Sequence, residues 1–473
     1  MQKYSNTGYL IKLTLVATLG GLLFGYDTAV ISGTVSSLDS FFVKPFGLGE
    51  AATNSRLGMV VSSALIGCII GGLIGGVVSK NFGRKKGLIL AAVLFLLSAL
   101  GSSMPEMFIK PIGEGDHTFI YIFVIYRILG GIGVGLASML SPLYIAEIAP
   151  AKSRGKLVSM NQFAIIFGML VVYFVNYYIA KQGDESWLNT IGWRWMFASE
   201  TIPASLFLLM LFFVPDTPRS LVLRNNDKKA LEVLTKVNGI EEAEKILVSI
   251  KSTIVSHSGK LFSFGVGIIV IGVLLSIFQQ FVGINVVLYY APEIFKSMGS
   301  GTDAALLQTI IVGAVNLLFT VLAIMTVDKF GRKPLMIIGA LGMSMSMFAL
   351  GTAFFSESVG LFALVCMLVY VASFAMSWGP VVWVLLSEIF PNKIRGKAMA
   401  VAVAAQWISN YLVSWTFPMM DKNSYLLENF NHGFSYWVYG FMGLLAMFLV
   451  WKFVPETKGK TLEEMEVLWK KKN

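Results

Sequence analysis

Long apolar runs separated by short polar stretches extend over most of the chain. An α-helix needs about 20 apolar residues to cross the hydrocarbon core of a bilayer. Twelve runs of about that length occur, at residues 9–33, 57–79, 87–104, 119–142, 156–180, 195–215, 262–290, 305–327, 335–354, 361–386, 397–417 and 434–454. The pattern predicts an all-α integral membrane protein with twelve transmembrane helices.

The longest polar segment lies between the sixth and seventh apolar runs. Residues 216–260 carry eight Lys or Arg and six Asp or Glu side chains. Within them, residues 227–237 and 240–255 place apolar side chains every three or four positions, which predicts two short amphipathic helices. Residues 461–469 show the same spacing after a capping box. A solvated linker without helices is the alternative for such short segments.

Three short sequences occur twice, at offsets of 240, 241 and 248 residues, and they divide the chain into halves. The pairs are EIAPAKSRGK at 147–156 with EIFPNKIRGK at 388–397, FGRK at 82–85 with FGRK at 330–333, and PDTP at 215–218 with PETK at 455–458. Such a duplication predicts two six-helix halves that enclose a site near the bilayer midplane. The predicted units are an N-terminal half at 1–215, a cytoplasmic helical linker at 216–260, a C-terminal half at 261–455 and a cytoplasmic tail at 456–473.

One apolar stretch, residues 276–295, contains an unusual number of amides. An unsatisfied amide costs several kcal/mol inside a bilayer, so Gln279, Gln280 and Asn285 must face a cavity, a partner helix or a ligand. On a straight helix their side chains point in three directions, because each residue advances the helix by about 100°. Gly283 lies between them and permits a break. We therefore predict a broken transmembrane helix that lines a ligand cavity.

Composition and charge agree with a membrane protein. Hydrophobic residues make up 56% of the chain, charged residues 14%, and the mean hydropathy is +0.72. The net charge of +10 arises from Lys and Arg that fill alternate short loops, which is typical of cytoplasmic loops and excludes a nucleic-acid partner. The pattern predicts a multi-pass protein with both termini in the cytoplasm. The absence of an Asn-x-Ser/Thr sequon favours a bacterial plasma membrane.

Three charged residues lie within the predicted spans and away from their ends: Asp27, Arg127 and Glu200. A charge at that depth is costly, so we expect Asp27 and Arg127 to pair, either as a static ion pair or as a proton-operated switch. Glu200 is a second candidate for the proton route. We find no intramembrane His/Cys cluster for a metal and no nucleophile with a base, so neither an enzyme nor a cofactor is expected.

Several motifs together resemble the sugar porter family of the major facilitator superfamily. They are GGLLFGYD at 20–27, GRKK at 83–86, EIAPAKSRGK at 147–156, PDTPR at 215–219, QQFVGIN at 279–285 and PETKGKTLEE at 455–464. The resemblance covers essentially the whole chain. It implies a monomeric alternating-access carrier that moves a monosaccharide inward together with a proton. D-xylose is the favoured sugar, while glucose, galactose and an uncoupled facilitative carrier remain alternatives.

The resemblance also implies where the sugar binds. Carboxamides both donate and accept hydrogen bonds, as sugar hydroxyls do, and indole rings match the C–H face of a sugar ring. The positions that correspond to sugar-binding residues are Gln162, Gln279, Gln280, Asn285, Trp383 and Gln406, with a wall of Phe24, Tyr289, Asn316, Phe374 and Trp407. A lone intramembrane amide can instead form an interhelical hydrogen bond. Met169, one helical repeat beyond Gln162, departs from the polar residue expected there and leaves the choice of sugar open.

Coupling and gating residues follow from the same resemblance. An acidic residue at the position of Asp27 is typical of proton symporters in this family. The repeated loops resemble a cytoplasmic gate, with Glu147 pairing with Arg395 and Arg154 with Glu388 when the carrier faces outward. Arg84 and Arg332 are expected nearby. The alternative is that these charges only set the orientation in the membrane.

Overall fold

The computed structural model describes residues 7–150, 153–254, 261–391 and 394–458, and within these ranges it contains helices and turns but no β-strand. The first half forms α1 Thr7–Val30, α2 Val35–Leu38, α3 Glu50–Phe82, α4 Arg84–Ser103, α5 Ile120–Ile148, α6 Arg154–Ala180, α7 Glu185–Trp187, α8 Trp193–Ser199 and α9 Thr201–Phe212. The linker forms α10 Pro218–Leu223, α11 Asp227–Asn238 and α12 Ile240–Ile254. The second half forms α13 Val266–Phe281, α14 Ile284–Tyr289, α15 Ala291–Ser297, α16 Thr302–Phe330, α17 Arg332–Phe355, α18 Leu361–Met376, α19 Trp378–Ile389, α20 Arg395–Asp421, α21 Ser424–Phe430 and α22 Gly433–Phe453.

The membrane spans agree with the predicted set. Among the described residues, eleven helical segments are long and apolar enough to cross a bilayer. The remaining predicted span, 397–417, corresponds to α20, which is 27 residues long. Its hydropathy is lowered by Gln406, Ser409, Asn410 and Ser414, all of them buried. The prediction of an all-α protein with twelve spanning helices is confirmed.

Two spans of the second half are broken within the membrane. The seventh span is divided into α13 and α14 at Gly283, whose φ of +91° is a left-handed conformation that favours glycine. The tenth span is divided into α18 and α19 at Ser377, with φ of −132° and ψ of −88°. The broken helix predicted around Gly283 is therefore confirmed. Each break releases backbone carbonyls and N–H groups from the helical hydrogen-bond pattern.

Glycines allow close approach of helices within and between the halves. A Cβ atom on Gly25 of α1 would lie 1.8 Å from the carbonyl oxygen of Ile165 in α6. Between the halves, a Cβ on Gly58 of α3 would lie 2.1 Å from the carbonyl oxygen of Trp415 in α20. A second contact between the halves is made by α6 and α16. The first half thus meets the second along two helix pairs, α3 with α20 and α6 with α16.

The linker helices form a small core of their own. Leu221, Val222, Ala230 and Val233 are buried together, with Leu247 and Ile250 packed against them. The predicted helices at 227–237 and 240–255 are confirmed as α11 and α12, while the one predicted at 461–469 lies outside the described residues. The end of the helix bundle that carries α10 to α12 is called the linker side below, and the opposite end the far side.

Candidate functional site

The break at Gly283 brings the predicted amides of the seventh span into contact. Asn285 Nδ2 donates a hydrogen bond of 2.5 Å to Gln280 Oε1. Gln279 Nε2 donates to the carbonyl oxygens of Trp378 and Gly379, at 2.8 and 3.2 Å. These carbonyls belong to the first residues of α19, so Gln279 connects the two broken spans. Its Oε1 atom is buried and has no hydrogen-bond partner, which leaves one acceptor for a ligand.

A second group of candidate residues joins the two halves. The rings of Phe24 in α1 and Trp407 in α20 have centroids 5.6 Å apart. A Cβ on Gly72 of α3 would lie 3.9 Å from Trp407 Nε1, so Trp407 packs against two helices of the first half. Trp407 Nε1 and Gln406 Oε1 are both buried without a hydrogen-bond partner. A donor and an acceptor are therefore available on adjacent residues where the halves meet.

The other candidate sugar-binding residues form few side-chain hydrogen bonds. Tyr289 is buried, and its hydroxyl accepts a hydrogen bond of 3.4 Å from Asn410 Nδ2. The side chains of Gln162, Asn316 and Trp383 form no hydrogen bond with any described residue. Two further positions complete the set: Phe374 is buried, and Met169 is buried on α6, seven residues after Gln162. Direct contacts thus join the predicted residues into two groups, one around Gln279 and one around Trp407.

A buried charged group lies in the first half. Arg127 Nη1 donates to Asp27 Oδ1 at 2.7 Å, and Arg127 Nη2 donates to the Asp27 backbone carbonyl at 3.1 Å. The side chains are 1% and 0% exposed, so neither ion has access to water. The guanidinium lies over the ring of Phe197, 5.2 Å from its centroid. The expected pairing of Asp27 with Arg127 is present.

Glu200 completes this group. Its carboxylate is buried and lies within interaction range of Asp27 and Arg127. Asp27 Oδ2 and both carboxylate oxygens of Glu200 have no other hydrogen-bond partner. Two carboxylates beside one guanidinium leave an excess negative charge, which is costly in a dry site. Binding a proton between Asp27 and Glu200 removes that charge.

On the linker side, the repeated loops of the first half form a hydrogen-bonded network. Arg84 Nη2 and Glu147 Oε1 are 2.7 Å apart, and the Thr217 hydroxyl donates to Glu147 Oε2 at 2.5 Å. Asp216 accepts from the backbone N–H groups of Arg84 and Lys85, at 3.2 and 3.3 Å. The network fixes the start of α4 against the end of α5 and the segment after α9.

The second half repeats this network with equivalent residues. Arg332 donates to both carboxylate oxygens of Glu388, at 2.8 and 3.1 Å, and the Thr457 hydroxyl donates to the same group at 2.6 Å. Glu456 accepts from the backbone N–H groups of Arg332 and Lys333 at 3.1 and 3.0 Å. The internal repeat seen in the sequence is therefore also a repeat of contacts.

The gate arginines have contacts within their own loops. Arg154 Nη2 lies 3.5 Å from the carbonyl oxygen of Ala149, and Arg395 Nε lies 3.2 Å from that of Phe390. The pairs predicted between the halves, Glu147 with Arg395 and Arg154 with Glu388, concern an outward-facing carrier. That pairing stays a prediction.

At the far side, polar contacts join the two halves. Ser36 donates to Glu293 at 2.5 Å, and Lys181 pairs with Asp303 at 2.6 Å. Further contacts of this kind are Asn54 with the Lys422 carbonyl at 3.1 Å, Lys422 with Asp39 at 3.3 Å, Glu50 with the Ser424 N–H at 2.7 Å, and Trp415 with the Ser55 carbonyl at 3.1 Å. The halves are thus held together at the far side.

One contact between the halves involves a residue that the sequence analysis missed. Tyr173 of α6 is buried, and its hydroxyl donates to the carbonyl oxygen of Leu288 in α14 at 3.0 Å. A Cβ on Gly313 of α16 would lie 2.8 Å from its ring. Tyr173 follows Met169 by four positions, so it lies on the same helix face as Gln162. That spacing from a candidate amide was a signal available in the sequence.

Comparisons with known proteins give the context of this geometry. A family model described as "Sugar (and other) transporter" matches residues 13–469. The D-xylose-proton symporter of Escherichia coli (strain K12) is 65% identical, with 99% of this chain and 97% of that protein covered. The glucose facilitated diffusion protein of Zymomonas mobilis is 43% identical, with 99% of each covered. The arabinose-proton symporter of Bacillus subtilis is 39% identical, with 98% of this chain and 96% of that protein covered.

Solved structures lead to the same family as these relatives. The inward open conformation of the xylose transporter XylE from E. coli superposes with a TM-score of 0.89 at 63% identity, covering 97% of this chain and all of that one. The proton:xylose symporter XylE bound to 6-bromo-6-deoxy-D-glucose gives a TM-score of 0.84 at 65% identity, covering 98% of this chain and all of that one. By family model, sequence and fold, the chain belongs to the sugar transporter family and has the major facilitator fold.

Proposed function

We propose that the protein is a proton-coupled monosaccharide symporter that takes up D-xylose by alternating access. The buried group of Asp27, Arg127 and Glu200 carries this proposal, because two carboxylates beside one guanidinium, with three carboxylate oxygens that have no other partner, suit a shared proton. The D-xylose-proton symporter of E. coli, 65% identical over 99% of this chain, supports both the sugar and the ion.

The sugar would bind between the two groups of amides and aromatic rings. Gln279 Oε1 and Gln406 Oε1 supply acceptors, and Trp407 Nε1 supplies a donor, all of them buried and without a protein partner. Sugar hydroxyls both donate and accept, so one ligand satisfies all three atoms. Phe24 and Trp407 offer ring faces to the C–H side of the sugar. The amides of Gln162, Gln280 and Asn285, the ring of Trp383, and the wall residues Tyr289, Asn316 and Phe374 complete the proposed site.

Proton binding would change the packing of the first half. An ionised Asp27 holds Arg127 at 2.7 Å, and a protonated Asp27 loses most of that attraction. The proton is shared with Glu200, whose carboxylate oxygens have no other partner. Tyr289 of α14 lies close enough to interact electrostatically with both Asp27 and Arg127. A change at Asp27 therefore reaches the broken helix that carries the sugar-binding amides.

The linker side would face the cytoplasm, with the protein in the bacterial inner membrane as a monomer. Lys and Arg are concentrated in the loops on that side, as the positive-inside rule requires. The far side is closed by the contacts between the halves, such as Lys181 with Asp303. This arrangement would correspond to an inward-facing carrier, and the inward open XylE structure superposes with a TM-score of 0.89.

Alternation between two states would exchange one set of ion pairs for another. Glu147 and Glu388 are held by arginines of their own halves in the inward-facing state. In the outward-facing state they pair with Arg395 and Arg154 of the opposite halves. Each ion pair that breaks is replaced by another, so the two states stay close in free energy, as a carrier requires.

A transport assay in proteoliposomes tests the proposal. Labelled D-xylose, glucose and galactose are offered with and without an imposed pH gradient. We expect xylose to accumulate against its gradient only when the pH gradient is present. An uncoupled facilitative carrier is the second candidate, favoured by the 43% identity to the glucose facilitated diffusion protein. Equal uptake with and without the pH gradient would establish that candidate instead.

A further inference from the structure

A cleft on the linker side lies apart from the transport path. Its volume is about 490 Å³, within the range of small-molecule sites. One wall is formed by the start of α4, with Lys85 and Lys86, next to Tyr9 of α1. The other wall is the face of α11 that carries Lys229 and Lys236. The cleft therefore separates the membrane-embedded first half from the linker helices.

The charges in this cleft are unbalanced. Five basic and two acidic residues line it. The acidic residue Asp216 is already used, because it accepts hydrogen bonds from Thr217 N–H and the Ser220 hydroxyl and forms an ion pair with Arg224. Four lysines of the lining then remain, and Glu232 is the acidic residue of the lining left to balance their charge.

None of these lysines forms a salt bridge with a carboxylate of the described residues. Lys85 Nζ donates to the carbonyl oxygen of Phe212 at 3.2 Å, and Lys236 Nζ lies 5.8 Å above the ring of Tyr9. Neither lysine, nor Lys86 or Lys229, takes part in an ion pair with a described carboxylate. Like charges on facing walls repel each other, and an anion between them removes that repulsion.

We propose that this cleft binds a phosphate-bearing anion that bridges the lysines of α4 and α11. Lysine binds phosphate as a point charge, and several lysines around one cleft suit a ligand with more than one negative charge. A bound phosphate would hold α11 against the first half. The proposal depends on the proposed function only in that the cleft faces the cytosol, and it does not involve the sugar or proton sites.

Binding of pyrophosphate to the purified full-length protein tests this proposal. Calorimetry in magnesium-free buffer compares the wild type with two double variants of equal charge change. Lys229→Glu with Lys236→Glu alters the cleft wall, whereas Lys228→Glu with Lys245→Glu alters exposed lysines of the same linker that lie outside the cleft. We expect the dissociation constant to rise about tenfold or more in the first variant and to stay within about twofold in the second.

The phosphate could come from a soluble compound or from a lipid headgroup, and nanodiscs distinguish these sources. In phosphatidylcholine nanodiscs, pyrophosphate binding that depends on Lys229 and Lys236 identifies a soluble ligand. Two results together identify a lipid headgroup. The wild type retains phosphatidylglycerol that the Lys229/Lys236 variant loses, and phosphatidylglycerol suppresses pyrophosphate binding. The proposal is overturned if both double variants behave alike, or if the wild type binds neither ligand. Xylose uptake by both variants, measured in parallel, shows that they are folded.

Discussion

The two halves of this protein are alike at the linker side and different in the middle of the membrane. At the linker side each half has an arginine paired with a glutamate and a threonine: Arg84, Glu147 and Thr217 in the first, Arg332, Glu388 and Thr457 in the second. In the membrane, the first half carries the Asp27 ion pair. The positions that match Asp27 at the repeat offsets, 267–275, are apolar or glycine.

The second half instead carries the broken spans and their amides. Gln279 links α13 to α19, and Asn285 meets Gln280 across the break at Gly283. The comparison indicates a division of tasks after duplication. Both halves retain the gate residues at the linker side, because a symmetric gate needs the residues of both halves. Under the proposed function, proton binding belongs to the first half and most of the sugar binding to the second.

The largest expected effect follows from removing the acid that distinguishes the first half. A pH gradient of one unit is worth about 1.4 kcal/mol per proton, enough for about tenfold sugar accumulation. We expect Asp27→Asn to reduce the accumulation ratio to about one while sugar exchange at equal pH continues. Asp303→Asn is the matched control, since Asp303 forms an exposed ion pair with Lys181. Normal gradient-driven accumulation by Asp27→Asn would remove Asp27 from the coupling.

A smaller effect is expected from the amides that distinguish the second half. Gln406→Ala removes an acceptor that has no protein partner, and a lost hydrogen bond of this kind costs about 1–3 kcal/mol. We expect the sugar dissociation constant, measured by tryptophan fluorescence or calorimetry, to rise about tenfold. The control is Gln308→Ala, because Gln308 accepts from Ser300 outside the proposed site. If the two variants bind sugar equally well, Gln406 is not a sugar ligand.

The shared gate should respond to charge reversal in either half. Glu147→Arg or Arg395→Glu alone should lower uptake several-fold, because each places like charges together in the outward-facing state. The double reversal restores the attraction between these two positions but leaves an arginine beside Arg84, so we expect it to recover part of the uptake. The same test applies to Arg154 and Glu388. A double variant as impaired as the single variants would show that these residues do not pair.

The smallest effect concerns a far-side pair in the second half. His432 Nδ1 lies 2.9 Å from Asp421 Oδ1, and this hydrogen bond raises the pKa of His432 above its usual 6.5. The stabilisation is therefore complete below pH 6.5 and is lost as the pH rises through the higher pKa of the folded protein. We expect His432→Ala to lower the melting temperature by a few degrees at pH 6 and by less at pH 9, corresponding to about 1 kcal/mol. An equal loss at both values would mean that the ring contributes only by packing.

The fold could be predicted largely from the sequence because its signals are local. Apolar length defines a span, a duplicated loop defines the halves, and a glycine among amides marks the break at Gly283. The eleventh span, α20, is predicted despite its Gln406 and Asn410 because its apolar run is still about 20 residues long. The helix break at Ser377 was not predicted, since neither glycine nor proline occupies that position.

The site could be predicted only in part, because its geometry depends on contacts between distant residues. The sequence places Gln279 in a span, but its bonds to the carbonyls of Trp378 and Gly379 arise from the second break. The role of Tyr173 between the halves depends on how α6 meets α14. The conformation also cannot be predicted from local sequence. It depends on whether the ion pairs close the linker side or the far side.

The central claim is that sugar and proton move together through the group around Asp27. The most direct test is to add xylose outside sealed proteoliposomes at equal internal and external pH, and to follow the internal pH with a trapped dye. We expect acidification of the interior by the wild type and none by Asp27→Asn, as coupling through Asp27 requires. Xylose entry into wild-type vesicles without any change of internal pH would contradict it.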